Sequence, residues 1–425
     1  MSEILTALAA NVLSWFVSQF FPSFMPRLLP RIEQEDTTTS NTTTNNHPTK
    51  CVAIGRPGGS EQLRVITLKP GVVTCGYNLE KPHQSPFTNI HGDNNIPADC
   101  VVLKNEAFSI NYADCCIRWG LYESANKFVG WPICPGFDVA GVVEQAGSSS
   151  NFKKGDRVFG CTLFGAYSSR VLVPQIQLKS IPAGISTQQA AALPAVSLTA
   201  LYALFLAGQY GNDFRLSKTA ILIHSAAGGV GSMLVQMSKI LGLSPIVGVV
   251  GRTDKVEEAK SLGCHVVIDK SVDHLWNKAE EASPGGYAAI MDANGVSTLQ
   301  ESYNHLAASG RLIVYGFHSN LPIGRAMLSP AQWIGMARKA ATMPKFDPMD
   351  LTVSNKSVLS FNLSFFADET EVLSKFFAQI CTWIEEGKLR PPRVVDMLMT
   401  QVVEGHELIQ SGKSIGKIVL NTATS

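Results

Sequence analysis

The chain has 425 residues and almost balanced charge, 35 basic against 34 acidic side chains, for a net +1. That balance excludes the basic surface that a nucleic-acid-binding protein carries. With 45% hydrophobic and 16% charged residues it can bury cores in roughly two or three domains, which excludes disorder as its main state. Nine cysteines without a Cys-x-x-Cys pair fit neither a zinc ribbon nor a disulfide framework. Their odd number points to a reducing compartment.

Residues 1–36 form an apolar N-terminal segment. From Ile4 to Pro26 there is no charged residue, and Leu5, Leu8, Trp15, Phe16, Phe20 and Phe21 dominate. Pro22, Pro26 and Pro30 end any helix near residue 21. About 18 helical residues span roughly 27 Å, just short of a hydrocarbon core of ~30 Å. Asn11, Ser14 and Ser18 make one polar stripe. An apolar helix over 4–21 reads as a short membrane anchor, an amphipathic segment on a membrane surface or in a groove, or a helix packed on the protein itself. Arg27, Arg31 and Lys50 follow it and place the rest of the chain on the cytoplasmic side of any membrane. Residues 37–50, beginning TTTSNTTTNN at Thr37, are a polar linker.

From Cys51 the chain reads as globular. Residues 60–180 are rich in Gly, Pro and short β-branched runs, which predicts an irregular β domain. Residues 219–316 alternate strand and helix. The strands are TAILIHS (219–225), PIVGVV (245–250), HVVID (265–269), AAIMD (288–292) and RLIVYG (311–316). Val230, Met233, Leu234, Met237 and Ile240 recur with helical period. Such alternation predicts an α/β fold with a parallel, doubly wound sheet. The chain ends in a further strand, GKIVL (416–420).

The segment HSAAGGVGSM (224–233) follows a strand and opens a helix, the context of a dinucleotide turn. Aligned on G-x-G-x-x-G, its positions are Ala226, Gly228 and Gly231, with Gly229 and Val230 between the last two. Gly228 lets backbone approach a pyrophosphate, and Gly231 lets the helix pack on the strand. The helix N-terminus supplies N–H groups and a positive dipole. Ala226 departs from the pattern, because a Cβ restricts the turn. At the end of the second strand an NAD site carries Asp or Glu. Here Gly251 is followed by Arg252, Thr253, Asp254 and Lys255, and Lys270 comes after the third strand. A small residue with cations suits the 2′-phosphate of NADPH, with Arg252 and Lys255 as its contacts. The alternative is a solvated helix start.

Several runs together resemble the medium-chain dehydrogenases/reductases. They are NYADCCIRWGLY (111–122), PICPGFDVAGVVEQAG (132–147), KKGDRVFG (153–160), AALPAVSLTALYAL (191–204) and the glycine turn. The nearest look is to the zinc-free quinone oxidoreductase branch. Within it, SVLSFNLSFF (357–366) and IGKIVL (415–420) are similar to the synaptic-vesicle amine-transport protein homologues. The resemblance implies a GroES-like irregular β-barrel catalytic domain in two parts, 51–183 and 347–425, around a Rossmann domain of 184–346. It also implies a homodimer and a cofactor in the cleft. Zinc-dependent members place Cys where this chain has Asn111, and Gly-His-Glu where it has Gly136, Phe137 and Asp138. An amide and a phenyl ring do not replace those ligands, so the expected site holds no metal.

The resemblance sets Asn111 and Tyr112 beside the nicotinamide as catalytic candidates, with Thr199, Tyr315 and Gly316 as cofactor contacts. Tyr112 is read as proton donor, or else as a core ring; Asn111 as a hydrogen-bond donor, or else as a turn cap. His224 is read as a strand residue. The expected function is NADPH-dependent hydride transfer to a quinone or α,β-unsaturated carbonyl. The alternative is a membrane-associated adaptor that retains the NADPH site.

Overall fold

Alternating apolar side chains build the first sheet. Cys100–Ile110 (β1) sends Val101 and Leu103 into one core and Val102 into another. A bulge between Asn105 and Ala107 then re-aims the strand, so that Phe108 and Ile110 enter a third. Asn105 stitches that bulge: its Nδ2 donates to the carbonyls of Ala166 and Ser168, and its Oδ1 accepts from the Ala140 N–H. Asp138–Ala146 (β2) pairs antiparallel with β1. Around them, the described residues form a nine-stranded sheet.

The structure is a computed structural model that describes residues 48–76, 85–90, 96–211, 219–320 and 330–422. The apolar segment 1–36, with the helix expected over 4–21, and the linker as far as residue 47 lie outside the described residues. Among the described residues no helix is long and apolar enough to cross a membrane.

The second sheet is parallel and six-stranded. Its strands are Ile221–His224 (β3), Ile246–Val250 (β4), Val266–Asp269 (β5), Tyr287–Asp292 (β6), Leu306–Val314 (β7) and Ser357–Ser360 (β8). They lie in the order β5-β4-β3-β6-β7-β8, so the reversal of order falls beside β3. Period two divides these strands between two cores. Ile221, Ile223, Met291 and Ile313 face one; Leu222, Val247, Ile290 and Leu312 face the other. Helices cover both sides. Tyr112–Arg118 (α1) starts the site on the barrel side. Pro194–Leu206 (α2) and Gly229–Ile240 (α3) contribute to the first core through Leu201, Leu204, Met233 and Met237.

The parallel sheet extends past the limit of 346 expected from sequence. β8 pairs with β7 at Arg311↔Ser357 through Val314↔Ser360. Helix Thr370–Glu385 (α4) joins the same core as α2, burying Phe376, Phe377 and Ile380. Those apolar residues need the sheet's helical layer to cover them. The chain rejoins the barrel's sheet at Val394–Leu398, which pairs parallel with Lys417–Asn421 (β9), and β9 pairs antiparallel with β1.

Candidate active site

A cavity of about 830 Å³ opens at the carboxyl ends of the parallel strands, between the two sheets. Its lining residues come from both: Asn111, Tyr112 and Phe137 from the barrel, and the glycine turn, Tyr315 and His318 from the parallel sheet.

At one end lie Gly228, Gly229, Val230 and Gly231, with the start of α3. The turn takes its left-handed residue at Ser225, φ 56°, not at Ala226. This is why alanine is tolerated there. Ala226 is fully buried beneath the turn and is not among the cavity's lining residues, contrary to the cofactor contact expected of it. Gly231 is required by close packing: a Cβ there would stand 2.2 Å from the Ser225 carbonyl oxygen. The Gly416 N–H donates to Ala227 O and so ties β9 to the turn.

A recess of about 170 Å³ continues from the turn, lined in part by Gly251, Lys255 and Lys270. Among the described residues beyond its chain neighbours, the only atom within 4 Å of a Cβ built on Gly251 is the Lys270 Cε, at 3.5 Å. Among the described residues the Lys270 amine has no hydrogen-bond partner. Lys255 donates to Gly412 O at 2.8 Å, and burial, with Arg252 nearby, lowers its pKa. Arg252 was expected to fork onto a phosphate. Its guanidinium instead forks onto Asp254, at 2.9 and 2.6 Å, and donates to Lys413 O. It does not line the cavity, because the adjacent carboxylate two residues on claims its donors.

At the other end, Asn111 precedes α1 and is fixed on both sides. Its Nδ2 donates to Asp138 Oδ2 at 2.8 Å, and its Oδ1 accepts from Lys417 Nζ at 2.6 Å. One amide hydrogen remains. Asp138 also accepts from Ser109 Oγ and the Ala195 N–H. Lys417 donates to Ile110 O and stands 3.5 Å from Asp138. Burial lowers the amine's pKa, while Asp138 and Asp114 oppose that shift. Asp114 accepts from the Asn111 N–H, Tyr167 Oη and the Gly136 N–H. Burial raises its carboxyl from 3.8 to about 7 against those bonds.

Tyr112 lies against His318, ring centroids 4.3 Å apart and planes tilted by 49°. Burial raises its phenol above the ordinary 10. Phe137 stands in an aromatic wall with Tyr122 and Phe164. Tyr122 Oη bonds Asn362 and Ser364. Thr199 lines the cavity, but its hydroxyl donates to Ala195 O. Tyr315 and Gly316 line it directly after β7. His224 is buried in β3 beside Ser302 and Asp292, as a strand residue. Among the described residues no group of three or more His, Cys, Asp or Glu is placed to hold a metal ion.

Sequence reasoning brought Asn111, Tyr112 and the turn to the cavity but missed His318 and Lys417. Lys417 had a signal: a lysine inside the apolar strand GKIVL has to find a buried partner. His318 had a weaker one, its place just after a strand whose carboxyl end faces the crevice.

Barrel, doubly wound sheet and cleft define a two-lobed dehydrogenase of the nucleotide-binding kind. The Alcohol dehydrogenase GroES-like domain family matches residues 97–183, and the Zinc-binding dehydrogenase family matches 229–379. Together they take in more than half of the chain. The human Synaptic vesicle membrane protein VAT-1 homolog is 29% identical over 321 residues, 75% of this chain and 78% of that protein. Human Quinone oxidoreductase is 27% identical over 330 residues, 76% and 90% of the two chains. The crystal structure of Escherichia coli quinone oxidoreductase complexed with NADPH superposes with a TM-score of 0.68 at 23% identity, covering 88% of this chain and 99% of that one. The chain belongs to the medium-chain dehydrogenase/reductase superfamily of oxidoreductases, in its quinone oxidoreductase-like branch.

Proposed function

We propose that the protein is an NADPH-dependent reductase of quinones or α,β-unsaturated carbonyls that works without a metal. The observation that carries this reading is the meeting, in one cavity, of a glycine turn backed by Lys255 and Lys270 with the Asn111–Tyr112 pair. The residues fit the cofactor. Gly229 to Gly231, in the first turn of α3, offer backbone N–H groups to a pyrophosphate, while the Gly228 N–H is held by Ser225 O, and Gly251 leaves room for a 2′-phosphate beside Lys270. Thr199, Tyr315 and Gly316 flank the nicotinamide end. When bound, the dinucleotide supplies a hydride. Asn111, clamped by Asp138 and Lys417, lines the cavity and keeps one amide N–H for a ligand. Tyr112 holds a proton on its hydroxyl at neutral pH. A quinone or enone needs less polarisation than a simple ketone, and hydrogen bonds supply it where zinc ligands are replaced by an amide and a phenyl ring.

The test is NADPH oxidation by the purified protein against quinones, enals and acyl-thioester enoates, with NADH in parallel. Turnover of at least one class with preference for NADPH is expected. No turnover across the panel would favour a second reading, a membrane-associated adaptor that keeps its nucleotide site. The uncharged run from Ile4 to Pro26 favours that reading, and loss of membrane association on deleting 1–36 would support it.

A further inference from the structure

His318 enters the cavity from the loop after β7, and its place there is set by backbone. Its N–H donates to Ala293 O at 3.1 Å, and the next N–H, of Ser319, donates to Asn294 O at 2.7 Å. The extension of β7 is thus pinned to the loop after β6. The ring meets Tyr112 from the opposite lobe. Among the described residues neither ring nitrogen of His318 has a hydrogen-bond partner, and neither has the Tyr112 hydroxyl. Three other polar side chains of the lining are engaged. Tyr122 is bonded to Asn362 and Ser364, Thr199 to Ala195, and Lys417 to Ile110 and Asn111. Burial lowers the imidazole's pKa from 6.5 to about 4; Asp292 opposes this and Lys270 reinforces it. At neutral pH the ring is uncharged, with one N–H donor and one acceptor nitrogen.

We propose that His318 is a catalytic residue whose ring N–H donates to the carbonyl oxygen of the bound quinone or enone. The proposal rests on the reductase reading above and names the group that polarises its substrate. As hydride adds to the β-carbon of an enone, the C=C electron pair moves towards oxygen, and the enolate oxygen is held by the His318 N–H. The imidazole keeps its proton. The α-carbon takes a proton from the Tyr112 hydroxyl, which recovers one from water. The substrate gains two electrons as one hydride plus one proton, and the dinucleotide is the species oxidised. A neutral donor suits this role, because it stabilises developing negative charge without adding a second buried cation near Lys417.

Two measurements on the full chain test this. In the first, cyclohex-2-enone is bound in the presence of NADP⁺, and its infrared carbonyl stretch is compared between wild type and His318→Phe. A lower frequency in wild type is expected, lost in the variant. In the second, turnover of the same enone should fall by about 10²- to 10³-fold in His318→Phe, as for loss of one oxyanion donor. NADPH binding, followed by fluorescence, should stay unchanged. His318→Gln, which keeps an N–H, should recover much of both. If the phenylalanine variant fails to fold, His318→Ala gives the same comparison. If wild type reduces enones and the variants do so equally with an unshifted stretch, the reductase reading stands and the His318 contact is overturned. If wild type reduces no carbonyl but still shifts the stretch through His318, the contact stands and the reductase reading falls.

Discussion

The two ends of the cavity are made by different means. At the glycine turn the cavity-lining polar groups include backbone N–H donors and two lysines, all within residues 228–270. At the other end they are side chains from three distant places: Asn111 and Tyr112 at the start of α1, His318 after β7, and Lys417 in β9. The first end is set by local conformation and is cationic. The second is set by packing between lobes, and its one lysine is neutralised by Asp138. A backbone site fails through steric intrusion, whereas a packed polar site fails when one partner is removed and another is left alone.

The strongest way to break the first end is Gly231→Val. The new side chain would meet Ser225 O and Ala226 Cα, main-chain atoms that cannot move aside. A loss beyond about 4 kcal/mol is expected, with dinucleotide binding abolished. Thermal unfolding and NADPH fluorescence would record it, and a variant of normal stability that binds NADPH would contradict the close packing.

The matching break at the second end is Lys417→Met. It leaves Asp138 buried without its cation, for which about 3–5 kcal/mol is expected. Adding Asp138→Asn removes the orphaned charge and should restore part of that stability in urea unfolding. Equal stability of wild type and Lys417→Met would show that the network is not needed for the fold.

A smaller effect separates the cations at the first end. Lys270→Ala should weaken NADPH about ten- to a hundred-fold and leave NADH nearly unchanged, since a charge-assisted bond contributes about 1.5–3 kcal/mol. Arg252→Ala should change either cofactor by less than about threefold, because its guanidinium is held by Asp254. Titration of both cofactors decides between them; a larger loss for Arg252→Ala would show that the fork onto Asp254 opens when NADPH binds.

The smallest effect is on pH dependence at the second end. Asp114 is held at about 7 against 3.8. Between those values the folded state binds a proton that the unfolded chain releases. This contribution is complete below about pH 4 and is lost as pH rises through 7. Stability should therefore fall by on the order of 1 kcal/mol from pH 6 to 8. Asp114→Asn should flatten that fall; an unchanged slope would assign it to other groups.

Much of this molecule follows from local pattern. Continuous apolar runs set the strands 221–224, 246–250 and 287–292, because a strand between two helical layers must be apolar on both faces. The turn at 228–231 follows from glycine's lack of a Cβ. What the sequence could not decide is which side chains stay free once the chain is folded. Arg252 reads as a phosphate ligand until Asp254 is seen to hold it. Ala226 reads as a turn residue until Ser225 takes the left-handed conformation and alanine drops into the core. The sheet's sixth strand, Ser357–Ser360, joins β7 across an intervening stretch whose described residues form no strand, a pairing no local period announces. Above all, Tyr112 and His318 meet only because two lobes close on one cavity, and Lys417 reaches Asn111 from 306 residues away. Local propensity and period act over a few residues. Contacts between distant segments depend on how the two sheets pack, and that is fixed by the whole core at once.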